Sequence, residues 1–209
     1  MDVKNNNYKK LAMSIYIAAI LWFVMFSPLT APMVSFWVMM TVSAIILVSL
    51  ALVFGGRPAL TADWRQVLFG VLVAAVLWGI FWVGDKLSQQ LFSFARPQVD
   101  LIYGIKEGQN PWILTALLLF IIGPGEEIFW RGYVQRQFCE RGSATSAFLK
   151  TTAIYALVHL PSMNFMLIMA ALVCGLVWGG LYRLMPRQFT AIVVSHALWD
   201  AAAFVWFPL

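Results

Sequence analysis

MVSFWVMMTVSAIILVSLALVF, residues 33–54, contains no charged side chain, no proline and no glycine. At a rise of about 1.5 Å per helical residue, this run is long enough to cross the ~30 Å hydrocarbon core of a bilayer. Every backbone amide in that medium must be satisfied within its own segment, so a run of this kind reads as a membrane-spanning α-helix. Comparable apolar runs lie at 11–29, 67–83, 112–129, 147–160, 165–182 and 189–207. The chain therefore reads as all-α: a polytopic transmembrane helix bundle of about seven spans, forming one integral membrane domain over residues 1–209.

The composition agrees. Of the 209 residues, 62% are hydrophobic and 11% charged, which leaves no room for a soluble domain. The net charge of +5 follows from basic residues flanking the spans and calls for no nucleic-acid partner. Cys139 lies in a basic stretch and Cys174 in an apolar run, which fits neither a disulfide framework nor a thiolate metal cluster. The first run begins like a signal sequence after Lys9 and Lys10 but continues through Ser27–Pro32 without a small-residue cleavage site, so it reads as a retained helix.

Lysine and arginine are unevenly divided between the two sides of the predicted bundle. Lys4, Lys9, Lys10, Arg57, Arg65, Arg131, Arg136, Arg141, Lys150, Arg183 and Arg187 fall on the side of the N-terminus, and Lys86, Arg96 and Lys106 on the other. The asymmetry predicts an N-terminus inside and a C-terminus outside; so compact a chain is expected in a prokaryotic plasma (inner) membrane, with an internal eukaryotic membrane as the alternative. Residues 93–111 mix Arg96, Pro97, Asp100, Lys106 and Glu107 and read as an external loop with a short interfacial helix.

Ionisable side chains inside spans are expensive and mark function by default. The deep ones are Glu126, Glu127, His159, His196 and Asp200, none of them in the first three predicted spans. Counted at ~1.5 Å per residue, Glu126, His159 and His196 lie roughly 12 to 18 Å from the cytoplasmic surface and converge on one polar cavity expected to open on that side.

Around the first acids the order is Gly123-Pro124-Gly125-Glu126-Glu127-Ile128-Phe129-Trp130-Arg131. Proline removes a backbone donor, which predicts a kink just before the acids. Glu127 and Arg131 are spaced i, i+4 for an ion pair; Glu126, about 100° around the helix, is left as the working carboxylate. His196 and Asp200 share a face at the same spacing, and so do Tyr155 and His159. A carboxylate beside an imidazole fixes its orientation; Tyr155 either bonds His159 or walls the cavity. Gly175 and Gly179 form a small-residue face for packing within the molecule.

Glu126-Glu127 with Arg131, an aromatic four residues before His159, and His196 four residues before Asp200 together resemble the CPBP family (CAAX proteases and bacteriocin-processing enzymes, also called Abi) of intramembrane peptidases. The family-like core spans about 112–207, with additional transmembrane helices in 1–93. The resemblance implies that Glu126 and His159 activate water for attack on a peptide carbonyl, and that His196 and Asp200 stabilise the oxyanion or position the substrate. Glu127, Arg131 and Tyr155 would support them. Tyr155 stands where the family often has phenylalanine, and Asp200 where it commonly has asparagine; an ionised aspartate cannot donate to an oxyanion, so orienting His196 is the alternative role.

The resemblance implies cleavage near the cytoplasmic leaflet, with a CAAX-type prenylated protein or a bacteriocin-like peptide as substrate and membrane lipids as the surroundings. Zinc stays open as cofactor. Glu126, His159 and His196 with a water make a four-ligand set, but there is no HExxH, and a metal-free glutamate–histidine mechanism is equally compatible. Two other classes compete: a proton- or ion-coupled transporter using the same residues as a relay, and a non-catalytic membrane scaffold or immunity protein.

Overall fold

The computed structural model describes residues 2–209, with side-chain surroundings from residue 7 onward. Among the described residues, apart from short 3-10 turns, there are eight helices: α1 (Asp2–Phe26), α2 (Phe36–Gly55), α3 (Trp64–Leu91), α4 (Ala95–Gly104), α5 (Pro111–Cys139), α6 (Ala144–Leu157), α7 (Phe165–Leu184) and α8 (Pro186–Trp206). Six are long and apolar enough to cross a membrane: α1 from Asn7, α2, α3, α5, α7 and α8. The seventh expected span is α6, whose 14 residues reach only about 21 Å at helical rise. The polytopic bundle is as the sequence implies.

Helix starts follow local chemistry. Asn110 Oδ1 accepts from the amides of Trp112 (2.9 Å) and Ile113 (3.3 Å), with Pro111 in the first turn of α5, where no amide donor is needed. Ser143 Oγ and Asn164 Oδ1 cap α6 and α7 in the same way.

Hydrogen bonds between helix ends define two ends of the bundle. At one, the Arg136 guanidinium donates to Gly55 O, the Thr61 amide donates to Thr190 Oγ1 (2.9 Å), and Arg183 Nε donates to Thr145 Oγ1 (3.1 Å). At the other, Trp37 Nε1 donates to Ile105 O (3.1 Å), Asn164 Nδ2 to Gln98 O (2.8 Å), and the Tyr103 hydroxyl to Ala203 O (3.0 Å). Helices α1, α3, α6 and α8 thus run from the first end, here the basic end, to the second, and α2, α5 and α7 run back. The short helix expected in the external loop is α4, which lies across the second end.

Two features differ from the sequence reading. Helix α3 continues past residue 83 to Leu91 and carries Asp85, 7% exposed, into the bundle. One Asp85 oxygen accepts from Gln89 Nε2 at 2.6 Å and lies 3.5 Å from Lys86 Nζ, so local partners allow the helix to run on where the charges read as its end. Helix α5, where a kink is expected, runs on through Pro124. The chain absorbs the proline with π-helical turns on both sides, Leu118–Ile122 and Trp130–Gln135.

The second difference is the cavity's mouth. A cavity of about 480 Å³ descends into the bundle with apolar walls including Trp37, Phe92, Tyr103, Phe165 and Phe204, all near the α4 end, and reaches its polar floor in mid-bundle. It therefore opens at the α4 end, not at the basic end. Depth counting places a residue in mid-bundle without deciding from which side it is reached. Packing decides that: Phe129, Tyr133, Gln135 and Phe189 are essentially buried and fill the basic end.

Candidate active site

The cavity floor is assembled from three helices. Glu126 on α5, Tyr155 on α6, His159 just beyond α6, and His196 and Asp200 on α8 all line it. Close contact between α5 and α8 makes this possible: a Cβ on Gly123 would stand 2.7 Å from Ala197 Cα. Only glycine admits that approach, and it sets the acids of α5 beside the histidine of α8.

Glu126 Oε2 accepts a hydrogen bond from the Tyr155 hydroxyl at 2.8 Å. The tyrosine therefore reaches the acid and not His159, which instead bonds the Tyr155 backbone: His159 Nδ1 is 2.8 Å from Tyr155 O. A ring nitrogen facing a carbonyl must carry the proton, so in the neutral ring the other nitrogen is the acceptor. Trp22 Nε1 donates to that nitrogen at 3.1 Å. Both faces of the His159 hydrogen-bonding capacity are thus used by the protein, and its tautomer is fixed.

Glu127 is fully buried and does not line the cavity. Its Oε1 takes Arg131 Nη1 at 2.7 Å, the pair expected from the spacing, and also His196 Nδ1 at 2.6 Å. On the opposite side of the ring, His196 Nε2 lies 3.4 Å from Asp200 Oδ2. An imidazole with a carboxylate at each nitrogen suits two N–H donors. Trp178 stacks on it at 3.8 Å between ring centroids and donates its own indole N–H to Ser195 Oγ at 3.1 Å. Arg131 is further held over the Tyr155 ring, 4.8 Å from its centroid.

This arrangement bears on zinc. A zinc ligand must offer a lone pair. The Nε2 lone pair of His159 is turned to Trp22, and each ring nitrogen of His196 faces a carboxylate. Among the described residues no group of three His, Cys, Asp or Glu side chains is arranged to hold a metal ion. As positioned, Glu126, His159 and His196 do not fit a three-ligand zinc set.

Sequence reasoning missed three contributors: Trp22, Trp178 and Asp85. Asp85 also lines the cavity, and its second oxygen is buried without a partner. A tryptophan in an apolar run carries no sequence signal that separates a hydrogen-bonding partner from packing.

Residues 108–202 match the model of the family described as Rce1-like, type II CAAX prenyl endopeptidase Rce1-like. The matched segment is thus similar to a CAAX-type endopeptidase family. It agrees with the CPBP resemblance and contains Glu126, Glu127, Arg131, Tyr155, His159, His196 and Asp200. The match covers somewhat less than half of the chain and leaves out α1 to α3, hence Trp22 and Asp85. No curated protein and no solved structure shows a significant match to the chain.

Proposed function

We propose that this multi-pass membrane protein is an intramembrane endopeptidase in which Glu126 activates the attacking water without a bound metal. The observation that carries the reading is the pairing of charges on the cavity floor. Glu127 lies against Arg131 and His196, and Asp200 lies against His196. Glu126 is then the carboxylate left without a cation, held by a neutral tyrosine and lining the cavity.

In the proposed reaction, Glu126 takes a proton from water as the water oxygen bonds to the carbonyl carbon of the scissile peptide. The charge that develops on the carbonyl oxygen meets the His196 Nε2–H. At 3.4 Å Asp200 engages that N–H only loosely, so it is available to an oxyanion. Glu126 then returns the proton to the amide nitrogen as the C–N bond breaks, which restores the carboxylate. Asp200 orients His196 and makes no direct contact with the oxyanion. His159, with its lone pair held by Trp22, shapes the cavity and fixes the Tyr155 backbone, and through it the hydroxyl on Glu126. The apolar walls suit a peptide bearing an apolar or lipid-modified segment, whether a CAAX-type prenylated protein or a bacteriocin-like peptide.

Cleavage of a lipidated and an unlipidated peptide library in proteoliposomes tests the reading. Glu126→Gln is expected to abolish cleavage while the protein stays folded, and chelator is expected to leave the wild-type rate unchanged. Activity that vanishes with chelator and returns with zinc would overturn the metal-free mechanism. Ion flux that depends on Glu126, with no cleavage of any peptide, would favour the transporter.

A further inference from the structure

We infer that the cavity is entered from the extracytoplasmic side of the membrane, so that its substrates are chains whose apolar or lipid-bearing segment reaches the outer leaflet. The inference uses two independent observations and takes its substrate from the peptidase reading above.

The first observation is the polarity of the bundle. The contacts Arg136 to Gly55, Thr61 to Thr190 and Arg183 to Thr145 gather one set of helix ends. Trp37 to Ile105, Asn164 to Gln98 and Tyr103 to Ala203 gather the other. The cavity walls belong to the second set. Phe36 and Trp37 open α2, Ser88 and Phe92 close α3, Phe165 and Met166 open α7, and Phe204 closes α8, while Val99, Ile102 and Tyr103 come from α4 itself. At the first set of ends the interior is filled by Phe129, Tyr133 and Phe189, each 2% exposed or less. The site is therefore closed toward the basic end and extends toward the α4 end.

The second observation is charge. Lys9, Lys10, Arg57, Arg65, Arg136, Arg141, Lys150, Arg183 and Arg187 all flank the plugged end, against Lys86, Arg96 and Lys106 at the mouth. Lysine and arginine are retained on the cytoplasmic side when short loops are inserted, and this bias orients the bundle. The plugged end is then cytoplasmic and the mouth faces outward. A cytoplasmic protein carrying a prenylated C-terminus would meet the closed end. An exported peptide or a segment anchored in the outer leaflet would meet the mouth, where Phe92, Phe94 and Phe165 present an aromatic rim.

Single cysteines in a Cys139→Ser, Cys174→Ala background read the orientation directly. Ser93→Cys lies at the α4 end and Gly142→Cys at the basic end, both at exposed positions. In intact bacterial cells expressing the protein, a membrane-impermeant maleimide is expected to label Ser93→Cys fully, and Gly142→Cys only after permeabilisation. The reverse pattern, or equal labelling of both, would overturn the inference. The same cells carry two reporter peptides with the apolar segment displayed at the outer or the inner leaflet. Cleavage of only the outer reporter, lost in Glu126→Gln, supports the proposal, and cleavage of only the inner one refutes it. Should neither reporter be cut, the peptidase reading falls while the labelling still decides which way the cavity opens.

Discussion

Glu127 shows how a single carboxylate can organise a site that it does not enter. It is fully buried, and one oxygen faces both Arg131 and His196. Removing its charge leaves a guanidinium in the protein interior without its counter-ion, a change that costs about 3–5 kcal/mol in typical buried pairs. Glu127→Gln is therefore expected to lower the thermal midpoint in detergent sharply, whereas Glu126→Gln, at a residue that bonds only a neutral hydroxyl, abolishes cleavage with a near-normal midpoint. Asp200→Asn gives a third behaviour. His196 keeps its bond to Glu127, the fold is retained, and kcat falls by about 10- to 100-fold, the usual effect of losing an outer partner of a working histidine; KM, set by the apolar walls, stays close to wild type. Trp22→Phe removes the donor to His159 and leaves a buried ring nitrogen without a partner, at a cost of about 1–3 kcal/mol. If it raised kcat instead, His159 would be a base that Trp22 holds in check, and the positioning role assigned to His159 would be wrong.

At the level of helices, the site depends on how closely α5 and α8 approach. A Cβ at residue 123 would meet Ala197 Cα at 2.7 Å and Ala197 N at 2.9 Å, and backbone atoms cannot swing aside as the end of a side chain can. Gly123→Ala is expected to push the two helices apart, moving Glu126 relative to His196. A misplacement of ~1 Å costs roughly 100-fold in rate at a preorganised site. Gly79→Ala on α3 is the matched control, because nothing lies within 4 Å of its added Cβ, and it should leave kcat unchanged. The two assays separate a packing requirement from a general intolerance of substituted glycines. Gly175 and Gly179 face Thr152 and Phe148 of α6, the intramolecular packing expected of their spacing. The π-helical turns beside Pro124 belong to this scale as well. They let α5 continue through the proline, so that Glu126 and Glu127 are presented from a continuous helix.

Over the whole molecule, the helices outside the matched segment complete the cavity. Helix α1 supplies Trp22, α2 supplies Phe36 and Trp37, and α3 supplies Asp85 and Phe92. The C-terminal end of α8 is tied down by α4: Tyr103 donates to Ala203 O, Lys106 Nζ to Phe204 O at 2.7 Å, and Arg96 Nη1 to Leu209 O at 3.2 Å. The first two bonds pair carbonyls that the terminal π-helical turn, Ala202–Trp206, leaves open.

The sequence by itself determined the medium, the helical class, the near count of spans and, apart from Asp85, the acids and histidines that meet at the candidate site. These are legible because a bilayer imposes length and apolarity on each span locally, and because a charge inside a span is too costly to be incidental. The i, i+4 pairing of Glu127 with Arg131 and of His196 with Asp200 was legible for a similar reason: one helix fixes both partners. Only the tertiary structure decided that Glu127 also reaches His196, that Tyr155 turns to Glu126, that Trp22 takes the free nitrogen of His159, and that the cavity opens at the α4 end. Each of these joins residues far apart in the chain through the packing of separate helices, and the periodicity of one helix carries no information about which neighbour will lie against it.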